Sequence, residues 1–464
     1  MKKVVLLVFV LVFLSIAITG RFISSVEASG TIYIMADGSI TPSSAKIVTY
    51  DNITYTLTGN ISDPIIVERD NIILNGANYT LQTSVDAPAI HLLGRKNVTL
   101  EYLEIKVFKD GVSLEDCSNC TLFRNIIMYA GNGTVPTAPS MFGIILNNCS
   151  NTRVYENRIK LSVLATPEWG GTGIVVFLFS THNTISQNII ENTFEGISLQ
   201  DTSSNHVDRN IIRNNYYGIG MADSETSGTI TINNTISENN ITSGLTGINL
   251  ERCSKNTLFA NNITENSHRG IVLYPEAMNN VVYKNYVANS GRGITLWLAS
   301  NNSIYGNSFV NNSQQVYIIE SPGYNRWDNG YPSGGNYWSD YNGTDFYSGP
   351  YQNVSGSDGI GDKPYVMYDW HGAVNSENRD NYPLVPPEKM LGFMIEKYEE
   401  LFSDYQSLNS TYNDLKSKPE ATVSELNYIR NLTYIFAATT IIFIATTVYL
   451  ALRKPKVKSE VKTT

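Results

Sequence analysis

Two arginines and a histidine offer this chain's clearest chemistry. Arg269 directly precedes Gly270, Arg292 directly precedes Gly293, and His268 adjoins the first arginine. A guanidinium fork matches a carboxylate bidentately, and imidazole titrates near neutrality. Glu195 precedes Gly196 in the same way. If the slot before each glycine repeats, Arg269 and Arg292 stack on one face, with Glu195 three turns earlier. That predicts a small patch for anionic sugars. Trp169 lies in an insertion near Leu161–Thr172 and offers an aromatic platform for a sugar ring, or packs that loop onto the body.

Asp201, Asp208, Asp223, Glu251, Arg209, Arg213 and Arg252 add raw material for acid–base chemistry. A polysaccharide lyase, epimerase or hydrolase needs a close acid/base pair, and a hydrolase needs paired carboxylates. The sequence places no such pair, so structural or glycan-binding service without turnover is the first expectation. Catalysis on cell-surface sugars is the alternative, and charges scattered over a solenoid surface are more often a plain solvated face. A third set, Asp340, Asp358 and Asp362, is interleaved with Gly359 and Gly361. Oxygen ligands on a glycine-containing loop suit Ca2+. Without an ion, the same carboxylates cap turns.

These residues need elements to position them, and the sequence supplies a repeat. Asn183, Asn205, Asn234, Asn256, Asn280 and Asn302 fill one slot. Asn188, Asn210, Asn239, Asn261, Asn285 and Asn307 fill a second. Gly173, Gly196, Gly218, Gly247, Gly270 and Gly293 fill a third, each followed by Ile. Fixed-period self-similarity means a solenoid, and short apolar alternations mean strands. The expected fold is all-β, a right-handed parallel β-helix, with inward ladders of Ile, Leu and Val. The asparagines would hydrogen-bond from coil to coil at bends, and both Asn and Gly would supply left-handed backbone there.

The ends set the expected compartment. Residues 1–28 read as a signal peptide, 29–326 as repeats and 327–386 as an aromatic, Asp-rich cap. Over 387–431, Met394, Leu401, Leu408 and Leu415 recur at heptad spacing, predicting a coiled-coil-like stalk and a homo-oligomer, or one helix folded against the solenoid. Residues 432–452 carry no charge and suit a transmembrane helix, with 453–464 as a basic cytoplasmic tail. A single-pass membrane protein with a large extracellular domain follows. Acceptors such as Asn97, Asn148 and Asn240 suit glycosylation in that compartment. The net charge of −9 argues against nucleic acid as partner.

The repeats and the tail together carry a resemblance. Gly335-Asn336-Tyr337-Trp338-Ser339-Asp340-Tyr341, Asp358-Gly359-Ile360-Gly361-Asp362-Lys363-Pro364-Tyr365 and Tyr382-Pro383-Leu384 resemble the ending of archaeal NosD-like, carbohydrate-binding/sugar-hydrolase β-helix surface proteins. The resemblance covers roughly residues 31–386. The NosD name implies a role in copper-site maturation, which the dispersed His91, His182, His206, His268 and His371 do not favour. Cys117, Cys149 and Cys253 fall in one repeat column, and Cys117 is able to pair with Cys120 or Cys149 as a disulfide.

Overall fold

A computed structural model of the chain describes residues 30–83, 87–107, 109–129, 141–161, 171–224, 231–320 and 323–385, with 406, 409 and 410 beyond them. The expected signal peptide, stalk, transmembrane helix and basic tail fall outside these residues, apart from helical positions 406, 409 and 410 within the stalk range. Among the described residues no helix is long and apolar enough to cross a membrane.

Three long sheets wind side by side. The first holds 13 strands, ending at Gln314–Ile319; its outermost strand, Ile40–Thr41, runs antiparallel to Ile32–Ile34, and the rest are parallel. The second has 12 strands, from Ile47–Thr49 to Ser303–Tyr305, and the third has 11, from Thr80–Gln82 to Tyr337–Trp338. Apart from Ile40–Thr41 and from Ile47–Thr49, which pairs antiparallel with Thr54–Leu57, the strands of these sheets pair in parallel from one coil to the next. Ile197, Ile219, Ile248, Ile271 and Ile294 are successive register partners, and all are fully buried. Burying one such side chain contributes roughly 1.5–3 kcal/mol, so the continuous apolar stack is the main stabilising term.

Asparagine amides join the coils at two bends. Asn183 Nδ2 donates to Asn205 Oδ1 at 3.0 Å, and the series continues to Asn302 and Asn325 at 3.1 Å. The second series starts at Asn125, whose Nδ2 donates to Asn157 Oδ1 at 3.0 Å, and ends at Asn336. Each amide also takes up backbone groups: Asn239 donates to Val207 O and Ser237 O, and its Oδ1 accepts from Asn210 N. These interior polar groups are therefore saturated, as burial demands.

The expected backbone roles need correction. The left-handed residue at the first bend is the one before each ladder asparagine: His182, Ser204, Asn233, Lys255, Asn279 and Asn301 all have φ of 56–60°. The repeat glycines are not left-handed; they are glycine because of close approach. A Cβ on Gly196 would meet Gly218 O and, at 2.6 Å, Ile212 Cγ2. Gly196 therefore faces the core, as does Ile197. Two consecutive inward positions shift the strand's alternation by one residue, so both Glu195 and Ser198 emerge outward.

The tail seals the solenoid. Asn336, part of the Asn-Tyr-Trp-Ser-Asp segment, is the last rung of the second ladder, and Tyr337–Trp338 pairs parallel with Ser308–Val310. Trp338 stacks between Phe309 at 4.6 Å and Tyr365 at 4.5 Å between ring centroids. Trp327 Nε1 donates to Asn378 Oδ1 at 2.9 Å. Buried aromatics thus cover the apolar end that the last coil would otherwise expose to water.

Candidate anion-binding face

The slipped alternation at each glycine brings one outward column to the first sheet. Glu195, Tyr217, Thr246, Arg269 and Arg292 are consecutive register partners. Neighbouring strands lie about 4.8 Å apart. Arg269 and Arg292 are therefore adjacent, and Glu195 lies three strands, roughly 14 Å, from Arg269.

Neither arginine has a carboxylate partner among the described residues. Arg269 Nη1 donates to Tyr274 OH at 3.2 Å, while its Nε is buried without a partner. The Arg292 guanidinium lies 3.6 Å above the Tyr317 ring, a contact that leaves the guanidinium edge free to donate. Partial burial, with Arg269 and Arg292 nearby, holds the His268 pKa below its ordinary value, which favours the neutral ring near neutrality. Tyr274 sits against Trp297, with ring centroids 6.1 Å apart, and Trp297 is 39% exposed. The patch combines two cations, a neutral imidazole and an exposed indole.

Glu195 is built differently. The carboxyl lies over Gly220: a Cβ there would collide with Glu195 Oε1 and stand 3.3 Å from Asn249 Oδ1. Burial pushes the carboxyl up to about 7, against a hydrogen bond with Ser198. Asn249 Oδ1 is buried and has no partner, so a protonated Glu195 beside it meets a free acceptor rather than a repelling anion. Tyr217 lies between the two ends, its pKa raised first by burial, with Tyr274, Arg269 and Glu195 all within its electrostatic reach.

The sequence singled out His268, Arg269, Arg292 and Glu195, but not Tyr217, Gly220, Asn249, Tyr274, Trp297 or Tyr317. One of these left a signal. Gly218-Ile219-Gly220-Met221 carries a second glycine where neighbouring repeats have Ser198 and Asn249. Trp169 lies outside the described residues.

The calcium candidates are not gathered into one centre. Asp362 accepts from Thr344 Oγ1, Phe346 N and Tyr347 N, Asp358 from Gly349 N and Ile360 N, and Asp340 from Tyr365 OH. Each serves a different turn or side chain. Among the described residues no group of three or more His, Cys, Asp or Glu is arranged to hold a metal ion. The four cysteines are buried free thiols. The Cys117, Cys120 and Cys149 thiols donate to backbone carbonyls, among them Leu92 O, Arg95 O and Leu114 O.

A solenoid of parallel coils capped at its end, with a polar column on one face, defines a right-handed parallel β-helix protein. Residues 88–241 match the family described as right handed beta helix region, and residues 165–343 match periplasmic copper-binding protein (NosD). The chain is a NosD-like right-handed β-helix protein. The donor set among the described residues does not fit the copper of that family's description.

No curated protein matches the chain. Among solved structures it is similar to a point mutant of the periplasmic alginate epimerase AlgG, 16% identical with a TM-score of 0.38, over 59% of this chain and 62% of that one. It is also similar to the GH136 lacto-N-biosidase from Eubacterium ramulus, at 13% and 0.41, over 60% and 57%. A third is a tailspike protein double mutant of E. coli bacteriophage HK620 in complex with pentasaccharide, at 10% and 0.43, over 61% and 55%. The chain thus spans about six-tenths of the length of these proteins. The likeness concerns the fold alone.

Proposed function

We propose that this protein binds anionic glycans on the outer face of the first sheet, without turnover, as the extracellular part of a membrane-anchored envelope protein. The observation that carries the reading is the register pairing of Arg269 with Arg292 in the absence of a described acid partner. Like charges directly opposite on neighbouring strands destabilise a sheet. An anion held between them removes that cost, and the exposed Trp297 offers a face for the attached ring. The spacing of the site supports binding over catalysis. Glu195 is the carboxyl of this column, and its roughly 14 Å separation from Arg269 keeps it from acting on the sugar whose carboxylate those arginines hold.

Retention of the full-length protein on immobilised polyuronate, compared with a neutral glucan, tests the reading. Retention should be selective for the polyuronate, weaken with added salt and fall with Arg269→Ala. Equal retention on both polymers, or release of unsaturated or shortened sugars, would overturn it.

A further inference from the structure

The outward column places its distinctive side chains in a line along the solenoid axis. Glu195, Tyr217, Arg269 and Arg292 share that column, while Gly220 and Asn249 lie in the next outward column on the intervening coils. Elsewhere in the first column stand Phe142, Thr172, Thr246 and Gln314, of which the two threonines are buried beneath their neighbours. Within strand Tyr217–Ala222, the outward positions Gly220 and Ala222 are also small, and the Glu195 carboxyl fills the space over Gly220.

We infer that the ligand of this face is a linear acidic oligosaccharide lying parallel to the solenoid axis, with one acidic sugar at Arg269 and Arg292 and the chain running over Tyr217 to the carboxyl of Glu195. The inference rests on the anionic-glycan reading above and adds an orientation and a length. From Arg292 to Glu195 the chain crosses four strand spacings, roughly 19 Å, the reach of about four sugar residues. A ligand lying across the coils would meet the two arginines and Trp297 and then leave the column.

The two ends have different chemistry. At the arginine end the carboxylate is held by charge. At the Glu195 end the carboxyl fills the notch over Gly220, where burial favours its neutral form, which does not repel the acidic chain. Tyr217 stands in the column between them, its ring edge-on to Phe194 and Tyr216 at 5.4 and 4.9 Å between centroids.

The test is titration calorimetry of the full-length protein with uronate oligomers of increasing length at pH 6. Affinity should rise about tenfold from dimer to tetramer, equivalent to ~1.4 kcal/mol, and then level off. Tyr217→Thr, which installs the residue already tolerated at Thr246, should remove most of that gain. Gly220→Ala, whose Cβ must displace the Glu195 carboxyl, should do the same, and circular dichroism on both variants checks the fold. A dimer that binds as tightly as the tetramer, or a tetramer indifferent to Tyr217→Thr, overturns the axial ligand while leaving the arginine site intact. Failure of every acidic oligomer to bind overturns both readings.

Discussion

Arg269 and Arg292 face each other across neighbouring strands with no described carboxylate between them, whereas elsewhere on the solenoid a similar arginine pair is neutralised. Glu191 accepts from Arg158 Nη2 and Arg213 Nη2, each at 2.8 Å, and its side chain is 8% exposed. Burial alone would raise its pKa, but the two guanidinium groups hold it below the ordinary carboxylate range. The fold therefore balances two arginines through one shared acid there, and the described residues supply no such acid at Arg269 and Arg292.

That contrast gives a stability prediction. Glu191→Ala leaves Arg158 and Arg213 without their shared acid and should lower unfolding free energy by about 1–3 kcal/mol, read by urea denaturation. Arg292→Ala should cost less than Glu191→Ala, because it removes repulsion along with the Tyr317 contact. A larger loss from Arg292→Ala would contradict the assignment of that residue to ligand rather than fold.

The ladder predicts a steeper cost. Asn239→Ala strands the amide groups that Asn239 satisfies at Val207, Ser237, Asn210 and Asn261. The loss should be about 2–4 kcal/mol in the same assay. Asn240→Ala, one residue away on a part-exposed face, should cost under ~1 kcal/mol.

Glycine position decides the third outcome. Gly218→Ala points a methyl at Gly247 O and Ile241 Cγ2 in the core and should destabilise by about 1–3 kcal/mol. Gly220→Ala points outward at a movable Glu195 side chain and should be nearly neutral for stability. Equal thermal shifts for the two variants would refute the slipped alternation.

Stability should also depend on pH through Glu195. Its folded-state pKa, near 7, exceeds the ordinary value of 4.5. A carboxyl raised in this way contributes stability that is fully present below pH 4.5 and lost as pH rises through 7. Asp380, raised to about 7 by burial against bonds from Asn336, Trp338 and Tyr382, acts in the same direction. Thermal melts from pH 4.5 to 8 should show a decline that Glu195→Gln reduces by up to ~3 kcal/mol. Glu191 acts oppositely, its contribution being lost as pH falls through its lowered pKa.

Much of the architecture was legible because its physics is periodic. Asn183 to Asn302 declared one bend and Asn188 to Asn307 another, and identical residues on a fixed period admit few alternatives to stacking. The role of the glycines was not legible, since left-handed backbone and close approach demand the same residue; only the position of Ile212 beside Gly196 separates them. Arg269 and Arg292 were readable from the slot they share. Tyr274 and Tyr317 were not, because their contacts depend on side-chain direction across columns. The acidic tail stayed ambiguous for a chemical reason: the oxygen atoms of Asp358 and Asp362 that suit calcium suit backbone amides equally well. Sequons at Asn97, Asn119, Asn233 and Asn301 follow from the fold as well. A left-handed, exposed asparagine stands two residues before the Thr or Ser that begins or continues a strand, so the backbone alone accounts for the motif.

The hydrogen bonds between coils run along the solenoid, which gives the rod a mechanical grain. Axial tension loads each inter-coil layer in turn, and within a layer the strand bonds and the asparagine amides share the force in parallel. Layers around Val98, Cys120 and Thr152 lack an asparagine at the first bend, and the second ladder begins only at Asn125. Under pulling, the rod should therefore fray from its amino-terminal coils inward, and the layers bearing Arg269 and Arg292, with both amide series intact, should part later.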